Sequence, residues 1–157
     1  MSLEIERKFL VSENYIEAIS EAERVEIIQA YLSTDADCTI RVRIAGEKAY
    51  LTIKTRNKGA VRNEWEYEIP VSEAVEMADR CNSGKLSKTR YFVPLDGRTW
   101  EIDVFHGHLE GLVVAEVELK NADEKIVLPS FVRKEITDDS RYYNSCLIVS
   151  ETIPEEY

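Results

Sequence analysis

The sequence predicts an α+β fold that is mainly β, in which eight strands form an antiparallel sheet that curls or closes. The first observation is that charged and apolar residues alternate with a period of two in several short runs. The second is that turn formers such as Gly46, Pro70 and Gly84 separate these runs. The 157 residues are 44% hydrophobic and 32% charged, which predicts one soluble globular domain over residues 1–157.

The first strand, residues 4–11, places Glu4, Glu6 and Lys8 on one face and apolar side chains such as Ile5 and Phe9 on the other. Seven further strands are predicted at residues 25–32, 39–44, 49–54, 62–69, 87–94, 99–105 and 112–119. Residues 62–69 show the clearest alternation of all. Each strand therefore has one face for a core and one face for charges.

Short helices are predicted between and after the strands. Ser12 is expected to cap a first helix and Ser72 a second, because each precedes apolar residues at helical spacing. A proline-led segment, residues 129–134, precedes a tail helix that is expected to begin near Ser140. The first two helices are expected to pack outside the sheet, whereas the tail helix is expected either to plug one end of a closed sheet or to pack outside it.

The net charge of −10 argues against sequence-independent nucleic-acid binding, which draws its affinity from an excess of basic groups. No apolar run is long enough to cross a membrane, and the start lacks the basic and then apolar layout of a secretion signal. We therefore expect a cytoplasmic protein, monomeric or homodimeric, that binds neither nucleic acid nor membranes.

Cysteine and histidine offer little for a metal site. Cys38, Cys81 and Cys146 are far apart and lack paired spacing, which suits a reducing compartment. His106 and His108 lie in a glycine-flanked segment between two strands. A turn is the simpler interpretation of that segment, and metal ligation by the two imidazoles is the alternative.

Charged residues recur on one face of most predicted strands. The acids on these faces are Glu4, Glu6, Glu64, Glu66, Glu68, Glu101, Asp103, Glu116 and Glu118. The bases are Lys8, Arg41, Arg43, Lys54, Arg62, Lys88 and Arg90. In one interpretation the sheet is open or sandwiched and these faces meet solvent, where ion pairs across strands add a few tenths of a kcal/mol each.

In the other interpretation the strands close into a barrel whose interior is lined by the charges, while the apolar faces point outward under the helices. Such an interior must hold counterions or a charged ligand, because unpaired buried charges are costly. Doublets of one sign favour this geometry, since pairing on a surface works equally well with mixed signs. The acidic doublets form what we call the acidic wall, Glu4, Glu6, Glu116 and Glu118. The basic doublets form the basic wall, Arg41, Arg43, Lys88 and Arg90.

The chemistry of the two walls indicates their ligands. Carboxylates without His or Cys indicate a hard divalent cation such as Mg²⁺ or Mn²⁺. Arginine and lysine side chains that converge on the same cavity indicate phosphate. The residues thus predict an interior site for a metal ion and a phosphorylated anion, if the barrel closes.

The charged doublets stand in motifs that resemble those of the CYTH superfamily, the triphosphate tunnel metalloenzymes, over essentially the whole chain. The motifs are Glu4-Ile5-Glu6-Arg7-Lys8-Phe9-Leu10, Arg41-Val42-Arg43, Leu51-Thr52-Ile53-Lys54, Arg62-Asn63-Glu64-Trp65-Glu66, Lys88-Thr89-Arg90-Tyr91, Asp103-Val104-Phe105, residues 111–118, Glu135-Ile136-Thr137 and Tyr143-Asn144. The resemblance implies a closed eight-stranded antiparallel β-barrel that forms a tunnel and binds a triphosphate with one or two divalent metal ions, Mg²⁺ or Mn²⁺.

The resemblance also implies roles for individual residues. Glu4, Glu6 and Glu118, with Glu116 beside them, match metal ligands. The substrate-binding bases it implies are Lys8, Arg41, Arg43, Lys54, Lys88 and Arg90, to which we add Arg62. Catalytic roles are expected for Lys8, Glu64, Glu66 and Glu116, with Lys8 closest to the leaving or terminal phosphate and the carboxylates holding a second metal or orienting water. Asp103 is expected to position a neighbouring base.

The activity implied is metal-dependent hydrolysis of a triphosphate, most simply inorganic tripolyphosphate, to diphosphate and orthophosphate. A class IV adenylate cyclase and a thiamine or nucleoside triphosphatase are alternatives within the family. The short chain and its Glu-Ile-Glu-Arg-Lys start are more similar to the bacterial inorganic triphosphatases. A non-catalytic polyphosphate binder is a further alternative, which the acidic residues argue against because an anion binder has no use for them.

Overall fold

The computed structural model describes residues 2–56 and 58–156. Its strands are β1 (Ser2–Val11), β2 (Glu23–Ser33), β3 (Cys38–Ala45), β4 (Lys48–Thr55), β5 (Val61–Ile69), β6 (Leu86–Leu95), β7 (Arg98–Phe105), β8 (Val113–Glu118) and β9 (Val132–Glu135). Its α-helices are α1 (Tyr15–Ile19), α2 (Val71–Arg80) and α3 (Asn144–Leu147), and single 3-10 turns lie at Gly107–Leu109 and Ser140–Tyr142. All eight predicted strands are present. Across the described ranges, the helices lack the length and apolar character that crossing a bilayer requires.

The eight predicted strands close into a barrel. They pair antiparallel in the order β5-β4-β3-β2-β6-β7-β8-β1, and β5 also pairs with β1, where Glu4 stands opposite Arg62 and Ile5 opposite Val61. Residues 6–10 of β1 pair with β8, and β9 joins the end of β1 beside Phe9. The closed eight-stranded antiparallel barrel is confirmed, with β9 as an additional strand in the segment that was predicted only as proline-led.

The apolar faces of the strands point outward and are covered from outside. Helix α2 packs Ala74 and Ala78 against Ala30, Val42 and Ala49 of β2, β3 and β4. Because all of these side chains except Val42 are alanines, the helix can lie close to the barrel wall. The apolar residues predicted at helical spacing after Ser72 are therefore the surface by which this helix contacts the barrel.

A second outer cluster is aromatic and lies beside β1, β7 and β8. The Phe9 and Trp100 rings lie 5.7 Å apart, and Phe131 stands edge-on to Trp100 at the same separation of ring centroids. Tyr15 and Ile19 of α1 pack against this cluster. The main hydrophobic contacts of the protein thus lie around the barrel, on the side of each strand away from the charges.

At one end of the barrel the inner face is also apolar. Along β1, Leu10 follows Lys8 on the same face, and along β6, Leu86 precedes Lys88 on the same face. Leu10 and Leu86 belong to one buried cluster with Leu147 of the C-terminal segment, residues 140–148. The C-terminal segment therefore fills this end of the barrel.

Both predicted helix caps are wrong. Helix α1 begins after Asn14, and the Ser12 hydroxyl instead hydrogen-bonds the Asn14 side chain and the Ser130 carbonyl oxygen. Helix α2 begins directly after Pro70, so Ser72 lies inside its first turn. Pro70 takes the N-cap position, and its carbonyl oxygen accepts the first helical hydrogen bonds, from the Glu73 and Ala74 N–H groups.

The predicted tail helix is broken into two short pieces. A 3-10 turn covers Ser140–Tyr142, and the single turn of α3 follows from Asn144. Tyr143 separates the two with an extended backbone, at φ −65° and ψ 136°. Its ring lies 5.8 Å from the Arg62 guanidinium, so the break directs this side chain toward the barrel interior.

Replacing Phe9 by alanine should cost about 3–5 kcal/mol of unfolding free energy, the usual result of deleting a buried phenyl group. Phe9 is only 1% exposed and contacts Trp100. Leu3→Ala is the matched control on the same strand, because Leu3 is 56% exposed. Urea unfolding followed by circular dichroism measures both variants, and equal losses would contradict a core placed outside the barrel.

Candidate active site

A cavity of about 340 Å³ lies inside the barrel and is lined by charged side chains. It contains every residue that the sequence predicts for the site, namely Glu4, Glu6, Lys8, Arg41, Arg43, Lys54, Arg62, Glu64, Glu66, Lys88, Arg90, Glu116 and Glu118. Glu101 lines it as well. The interpretation in which these faces meet open solvent is therefore wrong.

Two of the acids on the charged faces do not line the cavity. Asp103 is completely buried behind the bases that it contacts. Glu68 lies toward the end of β5 with an exposed side chain, 3.9 Å from Lys48. Glu68 lies outside the cavity because β5 has passed the charged interior at this position.

The acidic wall is built by two neighbouring strands, β1 and β8. Glu6 stands directly opposite Glu118, and Lys8 stands opposite Glu116. The Lys8 Nζ atom lies 3.4 Å from a Glu116 carboxylate oxygen, and both side chains are buried. Burial acts to raise the pKa of Glu116, but Lys8 and Arg90 lower it to about 2. Glu116 is therefore a carboxylate at neutral pH.

Glu4 is neutralised by Arg62 of the adjacent strand β5 and by Lys54 of β4, the next strand around the barrel. Lys54 Nζ donates to both of its oxygens at 2.9 and 3.0 Å, and Arg62 Nε donates at 3.1 Å. Burial would raise the pKa of Glu4, but Lys54 and Arg62 hold it well below its ordinary value. Glu64 adjoins this group, and burial together with its hydrogen bond to Glu4 raises the pKa of Glu64 to about 7.

Glu6 differs from Glu4 because, among the residues that the structure describes, no base donates a hydrogen bond to it. Burial, with the carboxylates of Glu116 and Glu4 nearby, raises the pKa of Glu6 to about 7. The Arg62 Nη2 atom is 3.8 Å away, farther than a direct hydrogen bond reaches. The acidic wall thus carries more negative charge than the nearby bases neutralise.

On the basic wall, Asp103 of β7 holds the two bases of β6. Lys88 Nζ donates to Asp103 at 2.7 Å, and Arg90 donates to both carboxylate oxygens at 2.8 and 2.9 Å. Arg90 also lies 2.9 Å from Glu101. Burial acts to raise the pKa of Asp103, but Arg90 and Lys88 keep it far below its ordinary value. The expectation that Asp103 lies against a neighbouring base agrees with these contacts.

In the described part of the chain, no acid accepts a hydrogen bond from the two arginines of β3, although Arg41 Nη2 lies 3.8 Å from a Glu66 carboxylate oxygen. Arg43 Nε donates to the neutral Gln29 Oε1 at 3.2 Å, and within residues 2–56 and 58–156 it has no ion pair. Burial and the nearby Arg41 and Arg90 lower the pKa of Arg43 to about 9. Arg41 Nη2 lies 3.3 Å from Thr52 Oγ1, while its buried Nε has no hydrogen-bond partner in the described part of the chain. Both arginines can therefore donate hydrogen bonds to a bound anion.

Several cavity residues were not predicted. They are Tyr31, Thr39, Thr52, Tyr143, Asn144 and Ser145. Thr39 and Thr52 share a strand face with Arg41 and Lys54, so the alternation itself could have found them. Tyr31 lies on β2, whose inner face carries no charge to mark it, and the others come from the C-terminal segment.

His106 directly precedes a 3-10 turn and His108 lies within it, so the segment is a turn, as the simpler interpretation predicts. His106 Nε2 lies 2.7 Å from Thr89 Oγ1, and His108 Nε2 lies 3.2 Å from the Leu147 carbonyl oxygen. Both imidazoles thus bond to protein oxygens, away from the charged cavity.

A divalent cation fits the acidic wall by donor chemistry, since its ligands are all carboxylate oxygens. As the side chains stand, no group of three His, Cys, Asp or Glu in the described part of the chain is close enough to hold one ion. Glu4 and Glu116 are instead held by Lys54, Arg62 and Lys8. The carboxylates are gathered on one wall, and binding an ion there requires side-chain rotation.

Comparison with known proteins agrees with this geometry. The CYTH domain family matches residues 2–146. The chain is 42% identical over 149 residues to the inorganic triphosphatase of Acetivibrio thermocellus, covering 94% of both chains. It is 36% identical over 151 residues to the inorganic triphosphatase of Nitrosomonas europaea, covering 94% of this chain and 97% of that one. The solved structure of the inorganic triphosphatase NE1496 superimposes with a TM-score of 0.66 at 34% identity, over 99% of each chain. This chain therefore belongs to the CYTH domain family.

Proposed function

We propose that this protein hydrolyses a triphosphate, most simply inorganic tripolyphosphate, to diphosphate and orthophosphate. The observation that carries the proposal is that an acidic and a basic wall line one interior cavity. The acidic wall comes from β1 and β8, and the basic wall comes from β3 and β6, which are not neighbours of β1 or β8 in the barrel. The names of the two curated relatives support the same substrate.

The basic wall is suited to bind the phosphate chain. Arg41 and Arg43 offer planar guanidinium donors that match phosphate oxygens, and none of them is hydrogen-bonded to an acid among residues 2–56 and 58–156. Lys88 and Arg90 are held in place by Asp103 and line the cavity. During transfer, negative charge spreads over the phosphoryl oxygens, and cations fixed in advance stabilise that charge without having to reorganise.

We propose that Glu4, Glu6, Glu116 and Glu118 hold a divalent cation, Mg²⁺ or Mn²⁺. When bound, the cation would supply positive charge to the phosphate oxygens on the acidic side of the cavity. Lys8 is paired with Glu116 on that wall, and we place it next to the leaving or terminal phosphate. Glu64, Glu66 and Glu116 are the carboxylates that we propose to orient the attacking water.

The purified protein should release orthophosphate from tripolyphosphate in Mg²⁺ or Mn²⁺, and EDTA should abolish the release. A phosphate assay over a panel of tripolyphosphate, ATP and thiamine triphosphate measures this. Tripolyphosphate should be the best substrate, because the groups assigned to binding recognise phosphate and none recognises a base or a sugar.

The same panel separates the alternatives. Cyclic AMP and pyrophosphate formed from ATP would identify an adenylate cyclase. Faster phosphate release from ATP or thiamine triphosphate would identify an organic triphosphatase. Tight tripolyphosphate binding without a metal and without product over hours would identify a binding protein, and each of these results would overturn the proposal.

Glu6→Gln should lower kcat for tripolyphosphate by about 100-fold or more, the scale on which loss of one electrostatic group in a site acts. The substitution removes the negative charge and keeps the shape of a side chain that faces Glu118. Glu68→Gln is the matched control, since Glu68 is exposed and lies outside the cavity. Near wild-type turnover of Glu6→Gln at saturating Mg²⁺, with an unchanged circular dichroism spectrum, would refute the assignment.

Asp103→Asn should cost about 3–5 kcal/mol of unfolding free energy, because it leaves two buried cations without their counterion. Asp103 is 0% exposed and bonds Lys88 and Arg90. Glu156→Gln, which breaks an exposed pair with Arg133, should cost much less. Urea unfolding of both variants decides the point, and similar losses would show that the buried pairs do not hold the barrel.

A further inference from the structure

We propose that Asn144 is a positioning residue for the basic wall, linking the C-terminal segment directly to Lys88 and, through Gln29, to Arg43. The inference rests on the proposed function, since it concerns how the cavity binds a phosphate chain. Sequence patterns give Asn144 and Gln29 no role, because neither is charged and they lie 115 positions apart.

The link is a continuous chain of hydrogen bonds. Asn144 Oδ1 accepts from Lys88 Nζ at 2.9 Å and from Gln29 Nε2 at 3.3 Å. Gln29 Oε1 in turn accepts from Arg43 Nε at 3.2 Å. Gln29 is 0% exposed, and its amide nitrogen also lies 3.1 Å from the Tyr31 hydroxyl. One acceptor atom of Asn144 thus connects β2 and β6, and Gln29 extends the connection to β3.

The polarity of this chain is fixed at both ends by groups that can only donate. A lysine ammonium has no acceptor, so the Asn144 atom that faces Lys88 must be its oxygen. The Gln29 atom that faces that oxygen must then be its nitrogen, which turns the Gln29 oxygen toward Arg43. The Arg43 guanidinium is also a pure donor, so the whole chain is consistent in only one orientation.

Asn144 is held rigidly enough to act in this way. It is the first residue of α3, and Leu147 at the end of that turn is 0% exposed in the cluster that fills the barrel end. His108 Nε2 bonds the Leu147 carbonyl oxygen at 3.2 Å. Tyr143, on the other side, places its ring beside Arg62. Contacts of Leu147 and Tyr143 therefore hold the Asn144 side-chain amide beside Lys88.

The consequence concerns Arg43 above all. Gln29 is its hydrogen-bonding partner, and Gln29 is itself aligned by Asn144. Lys88 would keep Asp103 if Asn144 were removed, but it would lose the second acceptor that fixes the direction of its ammonium group. Loss of Asn144 should therefore weaken phosphate binding at two cations while leaving the charge of the wall unchanged.

Asn144→Ala should raise the KM for tripolyphosphate about tenfold and leave kcat within about twofold, the pattern for loss of binding shared by ground and transition states. Cys146→Ala is the matched control, because Cys146 lies in the same helical turn and is exposed. A purely structural role for Asn144 would lower the melting temperature and the active fraction but would leave KM unchanged. An unchanged KM therefore overturns the inference.

Gln29→Met provides the second test, since it keeps the size of the side chain and removes both polar atoms. It should also raise KM, and the double variant with Asn144→Ala should raise KM no more than the larger single effect, because both residues act through one chain. If the effects of the two substitutions multiply, the residues act independently and the inference fails.

Failure of the proposed function would appear differently. A wild-type protein that turns over no tripolyphosphate refutes the hydrolase proposal, and the same variants are then compared by calorimetric titration with tripolyphosphate in Mg²⁺. A tenfold weaker Kd for Asn144→Ala, with Cys146→Ala unchanged, would still support the positioning role. Equal Kd values, or no binding by the wild-type protein, would refute it.

Discussion

Charges enclosed in a protein are stable only when other charges or polar groups offset the hydration that they lose, and this requirement shapes the barrel interior. Asp103 satisfies it for Lys88 and Arg90, and Lys54 with Arg62 satisfies it for Glu4. Asp103 joins the neighbouring strands β6 and β7, while the bases of β4 and β5 reach Glu4 across the closure between β5 and β1. Pairing of the inward charges and closure of the sheet therefore support each other.

The pairing is incomplete at two places that line the same cavity. Glu6 is crowded by other carboxylates, while Arg43 donates to the neutral Gln29 and has no ion pair in the described part of the chain. A cation at the first place and an anion at the second would complete the pairing that the protein leaves open. The residual imbalance, rather than any single residue, is what makes the cavity suited to a metal ion and a phosphate chain.

Much of the hydrophobic core lies outside the barrel, away from the charged interior. The Phe9 and Trp100 rings and the alanines beneath α2 lie outside the barrel, on the opposite faces of the strands that carry the charges. Apolar residues also enter the interior at one end, where Leu147 of the C-terminal segment packs. That end cluster also brings Asn144 to Lys88, so packing and the arrangement of the basic wall are connected.

The sequence by itself determined the strands, their two faces and the identity of the charged residues, because a strand turns alternate side chains to opposite sides whatever surrounds it. It left the direction of the charged faces open between solvent and interior, and only closure through the pairing of β5 with β1 decided that question. The helix starts after Asn14 and Pro70, the break at Tyr143 and the approach of Asn144 to Gln29 were also decided by tertiary structure. Such features depend on contacts between residues far apart in the chain, and a local pattern carries no record of those contacts.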